Sequence, residues 1–171
     1  MNEKLKDIRL LLLDVDGVMT DGGIIYDGNG LETKIFNVRD GHGIKMLQRC
    51  GIMVGIITGR TSVVVDIRAR ELGIELVYQG ALKKLDRYEE IKLKTGLCDS
   101  QIAYIGDDVI DVPVMRRVVF AATPSDGLSE VRKAAHYVTS CGGGRGAVRE
   151  VCDLIIKGRG FWNDIESRYE L

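Results

Sequence analysis

Five short, almost wholly apolar runs constrain this chain more than anything else in it: Leu10–Leu13, Met53–Ile57, Leu76–Tyr78, Ile102–Ile105 and Val118–Ala121. Apolar runs of this length without polar alternation suit strands buried on both faces. Between them, Ile44–Arg49, Val63–Leu72, Leu82–Lys94 and Ala147–Ile156 carry apolar residues at helical spacing. Val64, Ile67 and Leu72 share one side of the second, and Leu85, Tyr88 and Ile91 one side of the third. Repeated β-α alternation predicts an α/β fold with a doubly wound, Rossmann-like parallel sheet. One segment interrupts the rhythm, because Gly23–Tyr26 and Glu32–Phe36 flank the turn formers Asp27-Gly28-Asn29-Gly30. That pattern predicts a β-hairpin inserted directly after the first strand.

A chain of 171 residues is short enough to share one core. It reads as a single domain over 1–171, with 157–171 as a C-terminal tail without a motif. With 24 basic against 25 acidic residues and a net charge of -1, nothing global draws it to nucleic acid or to a membrane surface. No apolar run approaches the roughly 18 residues of a membrane helix. The charged start Met1–Asp7 is unlike a secretory signal, so a cytoplasmic location is expected. Cys50, Cys98, Cys141 and Cys152 form no C-x-x-C pair and read as reduced thiols.

Carboxylates punctuate the strand ends. Asp14-Val15-Asp16-Gly17 follows the first run, Thr58-Gly59-Arg60 the second, and Gly106-Asp107-Asp108-Val109-Ile110-Asp111 the fourth. Each alone also fits an acidic turn or a helix cap. In a parallel sheet, however, the carboxyl ends of the strands line one crevice, which would gather all three. Clustered carboxylates repel unless they share a cation, and hard oxygen ligands suit Mg²⁺ bound together with a phosphate. With its charge neutralised, Asp14 could attack phosphorus. Asp16 would then supply the proton that an alkoxide leaving group needs.

With these motifs the sequence resembles the haloacid dehalogenase superfamily of phosphotransferases. The resemblance implies Asp14 as nucleophile, Asp16 as acid/base, Thr58 as donor to a phosphoryl oxygen and Lys84, beside Lys83, as charge stabiliser. It implies Mg²⁺ held by Asp14, the main-chain carbonyl of Asp16 and Asp107, with Asp108 or Asp111 ligating through water. Many such phosphatases carry a cap domain, but here both intervals that would house one are used up by sheet elements, leaving only the hairpin. A capless site implies enclosure by neighbouring subunits, hence a homotetramer with sites at its interfaces.

Finer matches at D-V-D-G-V-x-T-D-G, Phe36–Gly41, Tyr78-Gln79-Gly80, G-D-D-x-I-D-x-P-V-M and Gly143–Glu150 resemble the capless phosphatases of sugar-acid phosphates in lipopolysaccharide precursor synthesis. The implied substrate is an eight-carbon 3-deoxy sugar-acid phosphate, with a nine-carbon relative as the alternative. A non-catalytic phosphate- or partner-binding module is the competing reading outside enzymes. Such a substrate carries a phosphate and a carboxylate, and Arg39, Lys45, Arg60 and Arg68 are candidates to hold the second anion. The resemblance assigns substrate contact to Asp16, Asn37, Val38, Arg39, Asp40, Gly41, Lys45, Arg60, Arg68 and Lys84, with Arg145 reaching an adjacent subunit's site.

Overall fold

The strand Leu10–Leu13, β1, is buried along its length because its leucines feed two cores in alternation. Leu11 and Leu13 face one side of the sheet, Leu10 and Leu12 the other. The computed structural model describes residues 2–170. After the short helix α1 (Asn2–Leu5) and β1 come the hairpin strands β2 (Ile25–Tyr26) and β3 (Glu32–Thr33), then α2 (Val38–Arg49), β4 (Met53–Ile57), α3 (Val63–Leu72) and β5 (Leu76–Tyr78). The second half runs through α4 (Lys84–Thr95), β6 (Ile102–Ile105), α5 (Val112–Met115), β7 (Phe120–Thr123), α6 (Ser129–Ala134), β8 (Tyr137–Val138), α7 (Ala147–Gly158) and α8 (Trp162–Tyr169). Turns of 3-10 helix at Asp99–Gln101 and Val109–Asp111 flank β6.

The main sheet has the order β5-β4-β1-β6-β7-β8, and every pairing in it is parallel. The α/β expectation therefore holds, with the hairpin as a separate antiparallel pair. The chain leaves β1 for β4 and β5 on one side, then returns to β6 on the other. Neighbouring connections thus diverge between β1 and β6, and ligands of such sheets bind in the crevice at that point. Apolar residues of α2, α3 and α7 cover one face, through Ile44, Leu47, Val65, Ala69, Val151 and Ile155. Tyr88, Ile91, Val114, Met115 and Val131 of α4, α5 and α6 cover the other.

Several expected boundaries move. β7 lies two residues beyond Val118–Ala121, and α2 starts six residues before Ile44. The buried side of α3 is Val65, Ala69 and Leu72, while Ile67 points outward. The segment after 157 is not a featureless tail: α7 extends to Gly158, and α8 docks through the buried Ile165. Tyr169 closes that contact, its hydroxyl accepting from Arg49 Nη1 at 2.7 Å and meeting His42 Nε2 at 2.9 Å. All four cysteines are free thiols, and among the described residues no helix is long and apolar enough to cross a membrane.

The glycine run before α7 has a packing role. A Cβ on Gly143 would lie 2.0 Å from the carbonyl oxygen of Gly17, and one on Gly144 would lie 2.7 Å from Asp21 N. Only a bare backbone can approach the loop after β1 so closely. The Gly143→Ala variant is expected to lose about 1–3 kcal/mol of stability by overpacking. Gly28→Ala, in open space at the hairpin tip, should change the urea midpoint little. Equal midpoints for the two variants would contradict this packing.

Candidate active site

The carboxyl ends of β1, β4 and β6 converge on a pocket of about 190 Å³ lined by Asp14, Asp16, Thr58, Arg60, Asp107 and Asp108, among others. The strand register sets this convergence. Leu13 pairs with Ile56 on one side and Ile105 on the other, so the residues that follow emerge at one level. Asp14 N then donates to the Ile105 carbonyl, and Thr58 N to that of Tyr78.

Lys84 binds this edge together from the first turn of α4. Its ammonium is fully buried, 2.8 Å from Asp14 Oδ2 and 2.6 Å from Asp111 Oδ1. Burial pulls its pKa down, but the two carboxylates outweigh that and hold it above the ordinary value. The neighbouring Lys83 is exposed, which separates two residues that the sequence leaves equivalent. Asp111 is saturated: Oδ1 also accepts from Tyr104 Oη at 2.5 Å, and Oδ2 accepts from the backbone N–H groups of Asp107 and Asp108. It shapes the loop after β6 and has little left to offer a ligand. Asp108 is exposed, with Oδ1 accepting from Val109 N at 2.6 Å.

Carboxylate oxygens of Asp14, Asp107 and Asp111 lie within 4.8 Å of one another, against the single ammonium of Lys84. The cluster therefore has an excess of negative charge. Burial, then repulsion from Asp111, raises the Asp14 pKa to about 6. Burial, then repulsion from Asp14, raises that of Asp107 to about 7. Asp107 Oδ1 is buried without a hydrogen-bond partner. An unpaired buried carboxylate oxygen beside a second carboxylate is the arrangement a hard divalent cation would complete, so these residues fit Mg²⁺.

Asp16 is half-buried at the same pocket and pairs with the ammonium of Lys34 from the hairpin. Arg60 donates through Nη2 to Glu32 Oε1 at 2.7 Å and to Tyr26 Oη at 3.0 Å, while its Nη1 stands 4.0 Å from Asp16 Oδ2. Lys34 and Glu32 were not among the expected site residues. Their signal is the two-residue spacing of opposite charges in the hairpin, which places both on one face. Tyr104 sits inside an apolar strand and gives no sequence signal at all.

The remaining expected residues gather elsewhere. Asn37, Val38, Arg39 and Arg145 line a second cleft of about 540 Å³ with Arg149. Asn37 caps α2, accepting from Arg39 N at 2.8 Å, and its amide donates to the Gly144 carbonyl at 3.3 Å. Asp40 is buried, and its Oδ1 accepts from Arg149 N at 2.8 Å, so it caps α7. Gly41 is buried too, since a Cβ there would lie 2.4 Å from Arg68 Nη2. Arg68 stacks over Phe36 and pairs with Glu71. Arg145 is exposed, its Nη2 3.7 Å from Asp21 Oδ2. Lys45 lines a groove of about 490 Å³ with Met53 and Leu76, at the amino ends of β4 and β5 and apart from the carboxylate pocket of its own subunit.

The raised carboxylate values carry a sign. A group held more protonated in the folded state stabilises the fold below its ordinary pKa of 3.8, and that contribution is lost as pH rises through about 6 for Asp14 and about 7 for Asp107. Chelator-treated protein should therefore melt at falling temperatures as pH is raised across this window. Added Mg²⁺ at pH 8 should restore the midpoint, by about 2.7 kcal/mol at a hundredfold excess over its dissociation constant. In calorimetry, Asp107→Asn should abolish the Mg²⁺ response and the part of the pH dependence near about 7, leaving the part that Asp14 contributes near about 6. A wild-type midpoint indifferent to Mg²⁺ would overturn the assignment of this cluster.

No protein-family model matches the chain. Among individual proteins, it is 46% identical over 165 residues to the 3-deoxy-D-manno-octulosonate 8-phosphate phosphatase of Escherichia coli strain K12, covering 96% of this chain and 88% of the relative. The enzyme of the same description from Yersinia pestis is 51% identical over 155 residues, covering 90% of this chain and 82% of the relative. In three dimensions the chain is similar to the 3-deoxy-D-manno-octulosonate 8-phosphate phosphatase of Moraxella catarrhalis, solved with a magnesium ion, a phosphate ion and a KDO molecule. The TM-score is 0.96 at 42% identity, over 98% of this chain and 97% of that one. With a parallel sheet whose strand ends present D-x-D, T-G-R and G-D-D-x-x-D to one pocket, the chain belongs to the 3-deoxy-D-manno-octulosonate 8-phosphate phosphatase family of the haloacid dehalogenase superfamily.

Proposed function

We propose that this protein is a Mg²⁺-dependent phosphatase that hydrolyses 3-deoxy-D-manno-octulosonate 8-phosphate to the free sugar acid and phosphate. The observation that carries this reading is the placement of Asp14, Asp16, Thr58 and Asp107 around one pocket, with buried Lys84 on Asp14. Asp14 attacks phosphorus, forming a phospho-aspartyl bond as the bond to the sugar oxygen breaks. Asp16 gives its proton to that oxygen. A water then attacks the phospho-aspartate, Asp16 takes its proton, and phosphate leaves with Asp14 regenerated. Thr58 donates to a phosphoryl oxygen, and Lys84 offsets charge gathering beside Asp14. Asp14, Asp107 and the main-chain carbonyl of Asp16 would hold Mg²⁺, which supplies the neutralisation that lets a carboxylate approach a phosphate dianion. Asp108, exposed at the rim, suits the outer position better than the saturated Asp111.

The pocket is smaller than the roughly 300–1,000 Å³ that encloses a whole ligand. It accommodates the phosphoryl end, and the sugar acid must project outward. Ile24, Ile25, Tyr26 and Ile35 of the hairpin region are exposed in the lone subunit, an apolar surface of the kind that marks an interface. In this reading four subunits pack through their hairpins, and the cleft bearing Asn37, Arg39 and Arg145 on one subunit completes the pocket of its neighbour. Arg145, exposed in its own subunit, then holds the substrate carboxylate.

Asp14→Asn should lower kcat by at least about 10⁴-fold, as removal of a nucleophile does. Asp16→Ala should lower it by about 10²- to 10⁴-fold and accumulate acid-precipitable phospho-enzyme. A side-by-side turnover screen of eight- and nine-carbon sugar-acid phosphates checks the substrate, and faster turnover of the nine-carbon ester would reassign it. For the assembly, Arg145→Ala should raise KM for the sugar-acid phosphate by about tenfold or more, with a much smaller change for p-nitrophenyl phosphate. Light scattering that finds a fully active monomer would refute the shared site.

A further inference from the structure

The hairpin does more than present an apolar surface, because its second arm reaches the acid/base. Asp16 takes no hydrogen bond from its own loop, and among the described residues its one side-chain donor is Lys34 Nζ, which pairs with Oδ1. The side chain of Lys34 is 1% exposed and lies outside the pocket lining, so substrate does not meet it. Lys34 is in turn held by Glu32, whose Oε1 lies 3.4 Å from the ammonium. Glu32 is itself fixed to the end of β4, since Oε1 accepts from Arg60 Nη2 at 2.7 Å and Oε2 accepts from Ser62 Oγ. The chain of contacts runs from the segment after β4, through the hairpin, to the carboxylate beside the nucleophile.

We propose that Lys34 is a positioning residue: through its bond to Oδ1 it fixes the Asp16 carboxylate so that Oδ2 is presented to the leaving oxygen. This rests on the role given to Asp16 above. An aspartate on a glycine-flanked loop otherwise samples several rotamers, and displacement of a reacting group by about 1 Å costs on the order of 10²-fold in rate. Oδ2 accepts no side-chain hydrogen bond, with Arg60 Nη1 standing 4.0 Å away, so it is the oxygen free to hold and release a proton. The ammonium suits this task because it is buried, charged and tied on its far side to Glu32, which stops it from following Asp16 if that side chain turns.

The test is Lys34→Met, which keeps the length and apolar stem but removes the ammonium, beside Lys34→Arg, which restores a cation. Substrates are the sugar-acid phosphate, whose alkoxide must be protonated on leaving, and p-nitrophenyl phosphate, whose leaving anion is already stable. Rapid-mixing measurements of the first turnover follow the bond-breaking step. For Lys34→Met, kcat on the sugar-acid phosphate is expected to fall at least tenfold more than the nitrophenolate burst rate, with KM for the sugar-acid phosphate within about threefold of wild type. Lys34→Arg should recover part of that difference. Equal losses on the two substrates, a rise in KM with kcat retained, a change of mass in light scattering, or no loss at all would each overturn the inference. Failure of the proposed function is separate, since it shows in the wild-type protein as absent turnover of the sugar-acid phosphate.

Discussion

One buried ammonium organises this end of the molecule. Lys84 sits between Asp14 at the end of β1 and Asp111 beyond the end of β6, and neither carboxylate is exposed enough for water to solvate it. A buried charge without a partner costs several kcal/mol, so the position of each of the three groups is dictated by the other two. Tyr104 and two backbone N–H groups complete the shell of Asp111, and this fixes the course of residues 106–111. The glycines nearby follow from the same crowding. A Cβ on Gly106 would lie 2.4 Å from the Asp111 side chain, and one on Gly17 would lie 2.1 Å from Asp107 Oδ2. Glycine stands at these places because carboxylates occupy the space.

This arrangement is poor for stability taken alone. One cation among three carboxylates leaves Asp14 and Asp107 holding their protons more firmly than free aspartates do, and Asp107 Oδ1 is buried unpaired. Local rules of this kind are broken at functional sites, where the repulsion is relieved on binding. The surrounding fold tolerates it because two well-filled cores flank the sheet and the strand register leaves the loop starts no freedom.

Most of what positions the site was legible in the sequence. Unbroken apolar runs bounded β1, β4, β5 and β6 as found, since strands buried on both faces leave no polar residue inside them. The carboxylate motifs then had to lie together once the sheet was parallel. What escaped had weak or misleading local signals. The first turns of α2 hold Arg39, Asp40, Gly41 and Gly43, a composition that reads as loop, yet Asp40 caps a helix distant in sequence and both glycines sit under other side chains. On α3 the larger Val64 and Ile67 suggested the inner face, whereas close packing selects Val65, Ala69 and Leu72. β8 and α6 are too short for any periodicity, and the placement of α8 depends on contacts made by Ile165 and Tyr169.

Two of the residues missed at the site share a reason. Lys34 and Glu32 are ordinary in composition for an exposed hairpin, and β3 contributes no partner to the main sheet. Their importance arises because the hairpin folds back over the end of β4, where Arg60 and Ser62 meet Glu32 and bury its neighbour's ammonium against Asp16. Catalytic carboxylates fixed by strand ends are visible to sequence reasoning, since the sheet brings strand ends together by rule. The group that pairs with Asp16 comes instead from an insertion, whose path over the sheet no periodicity records. In this protein the insertion is a short hairpin, so one strand arm both pairs with Asp16 and carries apolar side chains that are exposed. A substitution on the outer side of that arm, at Ile35 for instance, therefore lies one residue from the ammonium that holds Asp16, and the surface and the chemistry cannot vary independently there.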